Sequence, residues 1–345
     1  MANYTTIDDP TAYFQTVIYT GNATARSITF DGNSDMQPDW IWGKQRSGTD
    51  SHQLTDVVRG VTKILNSDTT AAENTTSAAI TAFNSDGFSL GTGGGYNGNN
   101  VTQVAWNWKA GTTSGITTTN STITPAGYSF NQTSGFSVIK YPGNATIARC
   151  PHGLGVAPAM IIIKDLASNN WQIYHVSLGN TKVIYLNTTG AAETTSARWN
   201  NTSPDAVNWT MGTTDAVNGN GHNYVAYCFA EKQGYSKFGS YIGNGNADGV
   251  FVYLGFKPAF VMTKRTDGTG GWFMQDNKRL GYNYANYRLF ADDSGAESTA
   301  SRIDLLSNGF KCRDNDGNGS GYNYIYMAFA ENPFVAGNFN VATAR

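Results

Sequence analysis

Ala157-Pro158-Ala159-Met160-Ile161-Ile162-Ile163-Lys164 is an apolar run introduced by proline. It occurs again as Gln37-Pro38-Asp39-Trp40-Ile41-Trp42-Gly43-Lys44 and as Lys257-Pro258-Ala259-Phe260-Val261-Met262-Thr263-Lys264. Proline suits the first position of a strand, where a missing N–H is tolerated. Both alternating faces of the run are largely apolar, which places it inside a sheet rather than at a wet edge. A stretch that returns roughly every hundred residues marks tandem modules.

The surrounding sequence repeats in the same order. Upstream stand Tyr19-Thr20-Gly21-Asn22-Ala23-Thr24, Tyr141-Pro142-Gly143-Asn144-Ala145-Thr146 and Tyr241-Ile242-Gly243-Asn244-Gly245-Asn246. These read as a strand followed by a tight turn, with Gly and Asn supplying positive φ. Downstream come His52-Gln53-Leu54, Trp171-Gln172-Ile173 and Trp272-Phe273-Met274, then Ala72-Glu73-Asn74, Ala192-Glu193-Thr194 and Ala296-Glu297-Ser298. Each copy closes on an alternating aromatic strand: Val104-Ala105-Trp106-Asn107-Trp108, Tyr224-Val225-Ala226-Tyr227-Cys228-Phe229-Ala230-Glu231 and Tyr324-Ile325-Tyr326-Met327-Ala328-Phe329-Ala330-Glu331. With six or seven strand-like runs per copy, the expected fold is all-β: three tandem β-sandwich modules of jelly-roll or concanavalin-like type.

Composition agrees. Charged residues are only 14% of the chain, aromatics reach 13% and there are 39 glycines, a mixture of strands and turns rather than amphipathic helices. The net charge of −2 leaves no footprint for a nucleic-acid backbone, so nucleic acid is excluded as a partner. No stretch is long enough to span a membrane, and Met1-Ala2-Asn3-Tyr4 does not open a signal peptide. The expectation is folding in a cytoplasm, where Cys150, Cys228 and Cys312 stay as buried free thiols.

The expected organisation is module one over 1–110, a Thr-rich linker over 111–134, module two over 135–233, module three over 234–335 and a tail over 336–345. The linker accounts for Pro38 and Pro158 lying 120 positions apart, against 100 between Pro158 and Pro258. Copies two and three are joined tightly at Lys232-Gln233-Gly234-Tyr235-Ser236 and should pack together. Copy one departs from them at Trp106, Trp108 and Lys109, and is expected to sit apart as the attachment module.

Motifs with catalytic overtones dissolve on comparison. Gly87-Phe88-Ser89-Leu90-Gly91 matches a nucleophile elbow, but its counterparts Asn208-Trp209-Thr210-Met211-Gly212 and Gly309-Phe310-Lys311-Cys312-Arg313 lack the serine. Glu73, Glu193 and Glu297 recur once per copy, as do Lys44, Lys164 and Lys264, which assigns them to the architecture of the module. His52, His152, His175 and His222 show no metal or triad spacing. Asp314-Asn315-Asp316-Gly317-Asn318-Gly319 opens like a calcium loop, with Asp314, Asp316 and Asn318 as candidate ligands, but its twelfth position is Ile325 instead of a bidentate Glu. No other cofactor is expected, and the protein is read as a non-enzyme.

Gly243-Asn244-Gly245-Asn246-Ala247-Asp248-Gly249-Val250-Phe251-Val252-Tyr253, Leu306-Ser307-Asn308-Gly309-Phe310 and Tyr324-Ile325-Tyr326-Met327-Ala328-Phe329-Ala330-Glu331-Asn332-Pro333-Phe334 carry a resemblance. Over nearly its whole length the chain resembles an uncharacterised β-rich repeat family found in virion proteins of marine tailed bacteriophages. The resemblance brings no catalytic or binding residues with it. What it implies is a virion structural protein, most simply a tail fibre or appendage that binds a host-surface glycan or protein. As a phage fibre it would be a homo-oligomer, by analogy a homotrimer, contacting other virion proteins. The alternatives are a capsid or tail decoration protein without a ligand, and a polysaccharide depolymerase. The loop aromatics and amides best suited to a glycan are Tyr96, Asn97, Trp171, Trp272 and Asn315.

Overall fold

The computed structural model describes residues 4–279, 283, 285, 287–299 and 303–335; the expected tail over 336–345 lies outside them. The fold is an all-β sandwich, and one strand order occurs three times. In copy one the order is the opening strand Phe14–Thr20, the closing strand Thr102–Trp108, the proline strand Trp40–Gln45 and a fourth strand Gln53–Asp56. Copy two repeats it with Phe136–Pro142, Asn223–Phe229, Met160–Asp165 and Gln172–His175, and copy three with Ser236–Ile242, Asn323–Pro333, Phe256–Arg265 and Trp272–Asp276. Neighbouring strands in these sheets are antiparallel. In copy three the proline strand begins early enough to include Pro258, and the register shifts on both sides of it, as expected where a ladder N–H is missing.

The two faces of each proline strand go to different cores. Ile161 and Ile163 face a smaller sheet of their own copy, formed by Ala148–Pro151 and Asn208–Met211, over Cys150, Trp209 and Met211. Met160 and Ile162 point the other way, into a cluster shared by all three copies. Trp40 and Trp42 of copy one and Phe260 and Met262 of copy three enter the same cluster, while Ile41 and Val261 face their own small sheets. The period of two thus divides each strand between a private core and a common one.

At the common core the equivalent residues Trp108, Phe229 and Phe329 close a triangle, with ring centroids 6.3, 5.6 and 5.8 Å apart. Three equivalent residues in mutual contact define a pseudo-three-fold axis. Copy one therefore does not sit apart. Its Trp40 stacks on Tyr227 of copy two at 4.3 Å and its Trp108 packs edge-on to Phe329 of copy three. The departures at Trp106 and Trp108 fit this copy into the axis, where each aromatic pair adds about 0.5–1.5 kcal/mol beyond its buried area.

The Thr-rich segment is not a free linker either. It contains the strand Gly127–Asn131, which joins the edge of the copy-two sheet, and it buries Ile123 in the private core of that copy. The sequence pattern missed the strand because Gly127-Tyr128-Ser129-Phe130 follows directly on a low-complexity run.

A second correction concerns the turn after each opening strand. Positive φ falls on Ala23 (54°), Ala145 (54°) and Gly245 (69°), so Gly and Asn are not its source in copies one and two. Gly21, Gly143 and Gly243 are there for closeness: a Cβ would lie 2.2, 2.1 and 2.3 Å from the carbonyl oxygens of Gly98, Gly219 and Gly319.

Candidate functional site

Four of the five loop residues singled out for glycan binding are buried. Tyr96 packs in the private core of copy one and donates its hydroxyl to the Gln53 carbonyl at 2.7 Å. Asn97 donates to the carbonyls of Thr24 and Gly91, both at 2.8 Å, and accepts the Asn22 N–H at 3.0 Å. Asn218 and Asn318 make the counterpart bonds to Asn144 and Asn244 and to the turn carbonyls of Thr146 and Asn246. The repeated asparagine is thus a latch holding one loop onto the next, and it holds the strained alanines in place. Only Asn315 is exposed.

The same latch accounts for the calcium-like loop. Asn318 spends its side chain on Asn244 and Asn246, and Asp316 forms an ion pair with Arg288 at 2.8 Å. No group of three or more His, Cys, Asp or Glu side chains suited to a metal occurs among the described residues.

Trp171 and Trp272 belong to the seams between copies. The indole N–H of Trp171 donates to the Asn66 carbonyl of copy one at 2.8 Å, and that of Trp272 to the Tyr185 carbonyl of copy two at 2.9 Å. At the equivalent position of copy one stands His52, whose Nε2 meets the Phe290 carbonyl of copy three at 2.8 Å. Three equivalent donors therefore bridge to three equivalent carbonyls, each in a neighbouring copy, and the ring closes. His52 Nδ1 accepts the Trp42 indole N–H, so the proton sits on Nε2, and burial drives the imidazole down to about 3. His152 and His175 are likewise held neutral by burial, each at about 4.

Four residues further along the same strands, at Asp56, His175 and Asp276, a second ring of contacts appears. Tyr227 of copy two donates to Asp56 of copy one at 2.8 Å, and Trp106 of copy one donates to Asp276 of copy three at 3.0 Å. Each aspartate is also paired with a fully buried arginine three residues on, Arg59 and Arg279. The third seam uses different chemistry at the same positions: His175 replaces the aspartate, Leu178 the arginine and Met327 the aromatic donor. With no side-chain donor opposite, His175 itself donates from Nε2 to the Tyr326 carbonyl at 3.1 Å. The substitutions compensate as a set, because a buried donor or acceptor without a partner is costly.

Two of the repeated lysines and one of the repeated glutamates reach across these seams, while the side chains of Lys44, Glu73 and Glu193 bond within their own copies. Lys164 donates to the Thr70 carbonyl of copy one at 3.2 Å and Lys264 to the Thr188 carbonyl of copy two at 3.4 Å. Burial pushes Lys44, Lys164 and Lys264 each down to about 8. Glu297 joins Arg46 of copy one to Arg279 of its own copy, at 2.9 and 3.0 Å. Ser89 lies within the strand Phe88–Leu90 and contacts Ser27 and Asn84. The three cysteines are free and buried.

Sequence reasoning missed two features. His222 forms a pair with the buried Asp165 at 2.8 Å, which raises its affinity for a proton. The residues are 57 positions apart, so spacing offered no signal. No serine, threonine or cysteine is hydrogen-bonded to His222 among the described residues, which leaves the pair without a nucleophile. The second feature is a set of clefts at equivalent places in the three copies. One is lined by Asp39, Val57 and Val58, one by Ala159, Val176 and Lys232, and one by Ala259, Asn277 and Lys278.

This architecture defines a class: an all-β protein whose three repeats are interlocked about one axis. The chain belongs to the family described as a domain of unknown function (DUF7483), whose model matches residues 9–333. The match spans all three copies. No curated protein and no solved structure matches the chain.

Proposed function

We propose that the protein is a non-catalytic structural component of a tailed-bacteriophage virion, an appendage unit displayed at the particle surface. The observation that carries this reading is the interlocked axis. Of the groups that could have built an active site, Lys164, Lys264 and Glu297 bind one repeat to another, the side chains of Lys44, Glu73 and Glu193 are engaged within their own copies, and three of the four histidines are held neutral by burial. Such a unit resists local unfolding and suits a role that is mechanical rather than chemical. The resemblance to phage appendage proteins points the same way. A single chain supplies the three-fold geometry that a homotrimeric fibre builds from three chains, so one chain per appendage position is the proposed arrangement.

The test is quantitative mass spectrometry of gradient-purified particles, followed by imaging with a labelled antibody. A fixed copy number per particle and a discrete location support the proposal. A protein abundant in lysates but absent from purified particles contradicts it. A second reading, a host-binding fibre, is favoured by the polar cleft between copies three and one. Binding of the labelled protein to host cells would support that reading. Release of reducing ends from host polysaccharide would replace both readings with an enzyme.

A further inference from the structure

We propose that the cleft at the seam between copies three and one is a binding site for a single neutral sugar residue. The cleft has a volume of about 250 Å³ and is walled by Phe14, Thr16 and Asp31 of copy one and by Asn277, Lys278 and Glu331 of copy three. It is smaller than the roughly 300–1,000 Å³ of sites for drug-sized ligands, so it fits one ring rather than a chain.

Two polar side chains in this wall are more than nine-tenths buried and lack a protein partner at one atom. Asn277 donates its Nδ2 to Glu331 at 2.8 Å, but its Oδ1 accepts nothing from the protein. The Thr16 hydroxyl is likewise unpartnered. The fold does not require an amide at position 277. Val57 and Val176 occupy the equivalent place, and all three residues donate their main-chain N–H to the equivalent carbonyls of Asp39, Ala159 and Ala259. An unpaired buried oxygen costs stability that valine would avoid. Its presence at one seam out of three marks that seam for a ligand.

Charge and shape narrow the class. Asp31 is paired with Lys278 at 2.8 Å and Glu331 with Lys257 at 3.2 Å, so the charges near the cleft cancel and give no preference for an ion. An amide oxygen needs a donor, and a hydroxyl takes either role. Phe14, Ala259 and Ala330 supply an apolar surface beside them. A pyranose ring offers hydroxyls on its rim and C–H groups on its face, and meets both requirements. The cleft would take such a ligand whether or not the protein resides on a virion.

The experiment is saturation-transfer NMR on the full chain with the methyl glycosides of glucose, galactose and mannose, each also titrated for affinity. At least one glycoside should bind saturably. Asn277→Val and Thr16→Val should each weaken it by about ten-fold or more, while Thr16→Ser retains it. Asn277→Val installs the residue of the other two copies, so its melting temperature should not fall, and lost binding would not reflect lost folding. If none of the glycosides binds, the cleft holds only water and the proposal is overturned. Unchanged binding by both valine variants would place the sugar elsewhere and overturn it equally.

Discussion

The indole N–H of Trp272 donates to the main-chain oxygen of Tyr185 across the seam between copies three and two, at 2.9 Å. The residues are 87 positions apart, yet the bond has counterparts at the other two seams, from Trp171 to Asn66 and from His52 to Phe290. A bond that recurs under a three-fold operation belongs to the assembly of the repeats and not to any one of them.

Removing this donor should destabilise the whole chain. Trp272→Phe keeps most of the apolar volume but loses the hydrogen bond, at an expected cost of about 1–2 kcal/mol. Urea denaturation followed by circular dichroism should show a lower midpoint and still a single transition. A new early transition confined to copy three would contradict a shared core.

The second ring predicts a loss and its partial rescue within copy three. Arg279→Leu leaves the buried Asp276 carboxylate without its arginine partner, which should cost about 3–5 kcal/mol. Leu is nonetheless the native residue at the matching position, Leu178, because His175 stands there in place of an aspartate. Adding Asp276→His to Arg279→Leu should therefore restore part of the loss, as a double-mutant cycle on unfolding free energies would record.

The repeated lysines set a pH dependence. Burial lowers Lys44, Lys164 and Lys264 from 10.5 to about 8, so from pH 8 to 10 the unfolded chain holds protons that the folded chain has released. These amines contribute stability that rises with pH across this window, while the buried thiols and tyrosine hydroxyls, raised by burial, act in the opposite direction. Lys264→Met isolates one amine: the unfolding free energy of the parent minus that of the variant should increase from pH 8 to 10 in urea denaturation. A difference that stays flat with pH would show that the Lys264 amine remains in contact with water.

The strained turns offer a gain. Ala23 and Ala145 hold φ of 54°, where their counterpart Gly245 carries no penalty. Ala145→Gly should be neutral or stabilising, by up to about 1 kcal/mol, although glycine loosens the unfolded chain and would lower stability at an ordinary position. Thermal melts of this variant and of a glycine variant at exposed Ala191 provide the contrast.

What could be read from the sequence was local. Proline before an apolar run, alternation in the closing strands and recurrent turns mark strands through forces acting within a few residues, and the all-β sandwich followed from them. The packing of copies against one another was not legible, because a strand buried on both faces reads the same whether its second face meets its own sheet or a neighbour's. Sequence alone reads Trp171 and Trp272 as loop aromatics, but large apolar rings go where water is excluded, and both are buried at seams. The sequence did hold a signal in the joint replacement of Asp276, Arg279 and Trp106 by His175, Leu178 and Met327, visible only once the partners across the seam are known. The contrast of Asn277 with Val57 and Val176 was open to the same alignment, but its meaning depended on a cleft assembled from both ends of the chain.

Native-state hydrogen exchange of the full chain tests the common axis most directly. It should be measured in low denaturant at the closing strands Thr102–Trp108, Asn223–Phe229 and Asn323–Pro333. If Trp108, Phe229 and Phe329 meet in one core, the slowest amides of all three strands exchange through the same global opening, with one free energy and one denaturant dependence. Exchange of Thr102–Trp108 through a separate opening of lower free energy, while the other two strands stay protected, would contradict the account.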